Sequence, residues 1–257
     1  MTEAEQAERA EHTLRSQLAG EIEARKGELA NRAFERMYEN PFWDARFGER
    51  GRSFAAEDGQ YHVTYLVEAL RSGNQQVFTR YARWLQSVLT TRGMCSLHLA
   101  ENFSRLADVI VDSGISHPAS AIAMLDAGCA SLRYDGGAGR AVQEEVDALL
   151  SHTPGAINAP HPNLPSVTTI PGREQVARDM PYLLSYLADA LALDRPGVFV
   201  DHARWLAEYY TGLDIPLDQL DHALLALDRS LNILREADRL AARAIVRKAR
   251  AGLEGGA

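Results

Sequence analysis

The sequence predicts an all-α protein made of two tandem copies of one helical domain, and three observations predict it. Apolar residues recur at helical spacing, no useful run alternates with the period of two that a strand needs, and one long stretch is written twice. From Ser53 the chain reads SFAAEDGQYHVTYLVEALRSGNQQVFTRYARWL, and from Arg173 it reads REQVARDMPYLLSYLADALALDRPGVFVDHARWL. Tyr65 and Tyr186 are 186 − 65 = 121 residues apart. The same offset, without a gap, pairs Asp58 with Asp179, Tyr61 with Tyr182, Leu66 with Leu187, Phe78 with Phe199, and ARWL at 82–85 with ARWL at 203–206. A solenoid unit is about 20–50 residues long, so this period reads as duplication of a whole domain.

The elements follow in order. Val63, Leu66, Val67 and Leu70 fall at i, i+3, i+4 and i+7, which lays one apolar stripe along a helix. Phe78, Ala82, Leu85 and Leu89 do so in the next, then Leu99, Phe103, Leu106 and Ile110, then Ile122, Leu125, Cys129 and Leu132. The second copy repeats the first three sets with Leu184, Leu187 and Leu191, then Phe199, Ala203 and Leu206, then Leu220, Leu224 and Leu227. SGISHP at 113–118 stops a helix, and DGGAG at 135–139 separates the halves. The stretch 152–172 holds five prolines and reads as a long loop inside the second copy. The expected domains are therefore 1–135 and 140–257.

Composition narrows the function. The 257 residues are 46% apolar and 24% charged, the balance of a soluble globular protein. A net charge of −8 argues against nucleic acid or an anionic membrane as partner. No signal peptide and no apolar run near eighteen residues is present, and Cys95 and Cys129 have no metal-type spacing, so a reduced cytoplasm is the expected setting. No Glu-x-x-His pair with di-iron spacing, no phosphate-cradling glycine loop and no Ser–His–Asp motif suggests an enzyme.

On a helical wheel Asp58, Tyr61 and Tyr65 lie within about 60° of one another, away from the centre of the apolar stripe. Asp179, Tyr182 and Tyr186 reproduce them. A carboxylate flanked by two phenols suits either a cleft for a flat ligand whose ring N–H groups it accepts, or an interface patch. Trp84 and Trp205 read as core or interface anchors.

The segment VARDMPYLLSYLADAL, followed by HARWLAEYYTGLDIP, resembles the chromophore-binding helices of phycobiliproteins, the globin-fold antenna proteins. Arg178, Asp179 and Tyr182 match the family's Arg-Asp-x-x-Tyr, and Pro216 falls near its later proline; the first copy keeps Asp58 and Tyr61 but has Glu57 in place of the Arg. The opening helices (LRSQLAGEIEARKGELANRAFERMYENPFW) and the closing READRLAARAIVRKARAGL extend the likeness over most of the chain. The family's attachment cysteine would fall at Ala55 and Val176, so no thioether can form. The resemblance that remains is to the bilin biosynthesis-associated globins. It implies two globin-like domains and noncovalent binding of a bilin (biliverdin or a reduced phycobilin), as carrier, sink or sensor, with bilin-synthesis enzymes as partners. It further implies that Asp58 and Asp179 accept pyrrole N–H groups and Arg178 pairs with a propionate. Tyr61, Tyr65, Tyr182 and Tyr186 would pack the pigment edge, with Tyr81 and His202 further along the cleft.

Two rival readings remain open. Haem needs a proximal His; the first copy offers His62 on the earlier helix and His98 or His117 later, whereas the second has Leu183 opposite His62 and His222 as its only late candidate, so the histidines do not repeat with the domain. The other rival is a cofactor-free regulatory or scaffold module. Homologous fused domains also suggest a pseudo-twofold monomer or a homodimer.

Overall fold

The computed structural model describes residues 2–157 and 171–254. Among them the fold is all-α, with twelve α-helices, two 3-10 turns and no strand. The first six helices are α1 (Glu3–Ala24), α2 (Lys26–Tyr38), α3 (Phe42–Ser72), α4 (Gln75–Leu89), α5 (Ser96–Asp112) and α6 (Ala119–Ser131). The second six are α7 (Gly137–Glu144), α8 (Val146–Ile157), α9 (Pro171–Ala192), α10 (Gly197–Gly212), α11 (Leu217–Ser230) and α12 (Glu236–Glu254). No helix among the described residues is long and apolar enough to cross a membrane.

The duplication is visible in the backbone turn by turn. The break between α1 and α2 falls at Arg25 (φ −109°, ψ 14°), and that between α7 and α8 at Glu145 (φ −101°, ψ 12°). Helix α3 ends on Gly73 in the left-handed region (φ 62°), and α9 ends before Asp194 in the same region (φ 50°), 194 − 73 = 121 residues on. Both close with a six-to-one bond, Asn74 N–H to Ala69 O at 3.1 Å and Arg195 N–H to Ala190 O at 2.9 Å. The next pair is Gly93 (φ 86°) and Asp214 (φ 56°), with Met94 N–H to Leu89 O at 3.2 Å and Ile215 N–H to Tyr210 O at 2.9 Å. Asp tolerates this region better than most residues, because its short side chain can bond locally. Two copies therefore share turn conformations as well as letters. Within α3, Gly48 (φ 56°, ψ −160°) kinks the helix before the repeated segment begins.

The chain packs as two compact units. The first comprises Met1–Val88 with His98–Leu132, and the second Leu89–Leu97 with Arg133–Ala257. The turn between α4 and α5, which belongs to the first copy in sequence, thus packs in the second unit. The first core holds Leu66, Phe78, Ala82, Leu85, Leu99 and Leu106, all buried. Their equivalents Leu187, Phe199, Ala203, Leu206, Leu220 and Leu227 are buried in the second.

The proline-rich stretch 152–172 is shorter as a loop than the sequence suggests. Helix α8 runs on through Pro154 to Ile157, and α9 starts at Pro171. Proline at a first helical position loses nothing, because an N–H there has no acceptor in its own helix. Pro154 forfeits one bond in a helix held by its packing on α11. The rest of the expected loop, 158–170, lies outside the described residues.

Helix α7 packs on α9 at Gly139, where an added Cβ would stand 2.6 Å from the Ala188 carbonyl oxygen and 2.8 Å from the Ala192 Cβ. Backbone cannot yield there, so Gly139→Val is expected to destabilise the second unit by about 1–3 kcal/mol. A denaturant melt checks it; an unchanged midpoint would contradict this packing.

Candidate functional site

In the first unit α3 and α4 bring together six of the residues singled out in the sequence, Asp58, Tyr61, His62, Tyr65, Tyr81 and Trp84. Tyr65, half-buried, stacks on buried Tyr81 with ring centroids 4.0 Å apart and planes 14° from parallel. The Tyr81 hydroxyl pairs with His62 Nδ1 at 2.6 Å, and Phe103 meets the His62 ring edge-on. Burial pushes His62 down to about 4, so it is neutral at physiological pH. Burial, then the charge of half-buried Asp58, raises the Tyr81 phenol. Tyr61 and Trp84 are 55% and 58% exposed, so of the two readings of Trp84, core or interface anchor, the core one fails.

In the second unit the equivalent stack is Tyr186 on His202, 3.7 Å apart and 15° from parallel, continued by Trp205 and Tyr209. Here the carboxylate is closed in. Asp179 is buried and accepts from the Tyr210 hydroxyl at 2.8 Å and from Gln175 Nε2 at 3.0 and 3.1 Å. Burial raises its pKa, and these donors offset part of the rise. The first copy has Leu89 and Phe54 at the positions of Tyr210 and Gln175, so it lacks this closure. Arg178 is exposed and reaches Gln175 Oε1 at 2.8 Å; Tyr182 is half-buried.

Beside that stack, one face of α9 grips the segment 93–97. Ser185, Tyr186 and Asp189 stand at i, i+1 and i+4, one turn of helix. The Tyr186 hydroxyl donates to the Gly93 carbonyl at 2.6 Å. Ser185 Oγ accepts the Leu97 N–H at 3.0 Å. Asp189 accepts the Ser96 N–H at 2.8 Å, the Ser96 hydroxyl at 2.5 Å and the Tyr134 hydroxyl at 2.7 Å. Ser96 and Leu97 are the first two residues of α5, whose amides find no acceptor in their own helix. Side chains of α9 therefore cap α5, and the Asp189 charge sits where the helix dipole favours an anion. Fully buried Tyr186 is committed through both ring and hydroxyl.

No family model, curated protein or solved structure matches the chain. The site is therefore read from its own geometry and from the comparison of its two copies. Among the described residues no cluster of His, Cys, Asp or Glu could hold a metal ion.

Ser185 and Asp189 did not figure among the residues singled out in the sequence. The signal was available in the ungapped match, which sets Thr64 beside Ser185 and Glu68 beside Asp189, a hydroxyl for a hydroxyl and a carboxylate for a carboxylate. Tyr210, Gln175 and Ser96 carried no signal, because they differ between the copies.

Burial pushes Asp189 up to about 6 despite the donors from Ser96 and Tyr134. The folded value lies above the unfolded one, so this group's contribution to stability is full below about pH 4 and is lost as pH rises through about 6. Keeping the carboxyl protonated up to about pH 6 rather than to the ordinary carboxylate range corresponds to about 3 kcal/mol. Urea melts at about pH 4 and about pH 8 should show the wild type losing about 2–3 kcal/mol relative to Asp189→Asn as pH rises; a flat difference would contradict it. Asp189→Ala strands buried donors and is expected to cost about 3 kcal/mol at pH 5, whereas Glu68→Ala on the exposed equivalent should stay within about 0.5 kcal/mol.

Proposed function

We propose that the protein is a non-enzymatic docking module, the cofactor-free alternative among the readings of its sequence, and that its repeated α3/α9 face works by gripping a turn of polypeptide. One observation carries this reading: in the second copy that face already holds a chain segment, through a hydroxyl, a phenol and a carboxylate on one helical turn. The same three chemistries recur on α3 as Thr64, Tyr65 and Glu68, where Glu68 is exposed and the other two are half-buried. The motif that resembled a pigment pocket has protein contacts in the second copy. Asp179 spends both oxygens on Gln175, one of them on Tyr210 as well, and Tyr186 spends its hydroxyl on Gly93.

A second reading keeps a bilin in the first copy alone. Exposed Tyr61 and Trp84 flank the Tyr65–Tyr81 stack near Asp58, which suits a flat ligand bearing N–H groups. Haem draws less support, since His62 is tied to Tyr81, and His98 is buried with Phe42 stacked on its ring and Trp43 edge-on to it.

The test uses the full chain and a fluorescent peptide of residues 86–100, which contains the gripped segment. Saturable binding that Thr64→Ala with Glu68→Ala abolishes is the expected result. Biliverdin and haemin added in the same assay should leave the visible spectrum a simple sum. No peptide binding, together with a bilin band that Asp58→Asn removes, would overturn the docking reading in favour of the pigment.

A further inference from the structure

The gripped segment has its own equivalent, and it is uncovered. Adding 121 to Gly93, Ser96 and Leu97 gives Asp214, Leu217 and Asp218. Asp214 has the left-handed φ of Gly93, and the bond of Ile215 N–H to Tyr210 O reproduces that of Met94 N–H to Leu89 O. Leu217 and Asp218 open α11 as Ser96 and Leu97 open α5. Where α5 has side-chain acceptors for its first two amides, α11 has no side-chain cap on its N-cap residue Pro216, and no described residue accepts the Leu217 or Asp218 N–H. Leu213 and Leu217 are 46% and 44% exposed on this turn.

Each chain thus carries one gripping face joined to its turn within the second unit, a second such face on α3 with Glu68 exposed, and a second such turn with Leu213 and Leu217 exposed. The second face and the second turn match group for group. Thr64 gives its hydroxyl proton to Gln60 O at 2.9 Å, which leaves its oxygen able to accept an N–H as Ser185 accepts Leu97. Tyr65 is a phenol held by a ring stack of the same geometry as Tyr186. Glu68 is a carboxylate of one more methylene than Asp189, with greater reach. Exposed Tyr61 on the same face offers apolar area for Leu213 and Leu217.

Resting on the docking reading of this face, we infer that its occupant is a second copy of this chain. Thr64, Tyr65 and Glu68 of one protomer hold the 213–218 turn of its partner: Tyr65 donates to the Asp214 carbonyl, Thr64 accepts the Asp218 N–H and Glu68 accepts the Leu217 N–H. Exchanged reciprocally between two chains this contact closes a dimer, and exchanged head to tail it continues into a longer assembly.

Sedimentation velocity of the full chain over a roughly hundredfold concentration range reads this directly, because a self-association responds to mass action. The expected result is reversible, concentration-dependent self-association. Glu68→Lys should weaken it by about tenfold or more, placing a cation at a helix N-terminus. Leu213→Ser with Leu217→Ser, two exposed positions that the core does not need, should weaken it from the other side. A monomer at every concentration overturns the inference, and so does a dimer that both variants leave unchanged. If the chain stays monomeric while the 86–100 peptide still binds, the second-copy assignment fails and the docking face stands. If neither associates, both fail.

Discussion

The whole arrangement depends on how the first two amides of α5 are satisfied. A helix N-terminus exposes N–H groups that its own turns cannot bond, and leaving them dry is costly. Here the turn before α5 packs in the second unit, away from water, so acceptors must come from the protein. Helix α9 supplies them on a single turn, with Ser185 for Leu97 and Asp189 for Ser96, and Tyr186 adds a donor for the Gly93 carbonyl. Such a set works only because residues i, i+1 and i+4 project to one side of a helix. The buried carboxylate is expensive to ionise, as its raised pKa records, and its three donors make that tolerable.

Duplication gives this constraint its consequence. Both copies inherited a ring stack, a left-handed turn and a hydroxyl–phenol–carboxylate triplet, yet the copies have diverged around them. The second copy has Tyr210 and Gln175, which close over Asp179, while Leu89 and Phe54 stand at those positions beside Asp58. Its triplet is filled by the chain itself. The first copy keeps Tyr61, Trp84 and Glu68 exposed, with Thr64 and Tyr65 half-buried, which is the asymmetry on which the docking proposal stands.

The helices and the duplication were legible because both rest on periodicity. Leu66, Phe78 and Ala82 are buried as their spacing foretold, and Leu187, Phe199 and Ala203 with them. The matched turns at Gly73 and Asp194 drew no notice in the sequence, and only context puts Asp in the left-handed region. The inclusion of Leu89–Leu97 in the second unit is a tertiary fact with no local signature. It also explains why the site was read incompletely. Tyr186 drew notice as a ligand contact, whereas Ser185 and Asp189, beside it on the wheel, looked like ordinary polar residues until the segment they hold was in view. Prolines misled in the same way: Pro154 and Pro171 announced a loop where packing and position let helices continue.

Amide hydrogen exchange on dilute, monomeric protein tests the central claim most directly. Capping by α9 predicts that the Ser96 and Leu97 amides exchange slowly, on the scale of the surrounding core, while the repeat-equivalent Leu217 and Asp218 amides exchange at nearly the rate of an open chain. Fast exchange at Ser96 and Leu97, matching that of Leu217 and Asp218, would contradict the account.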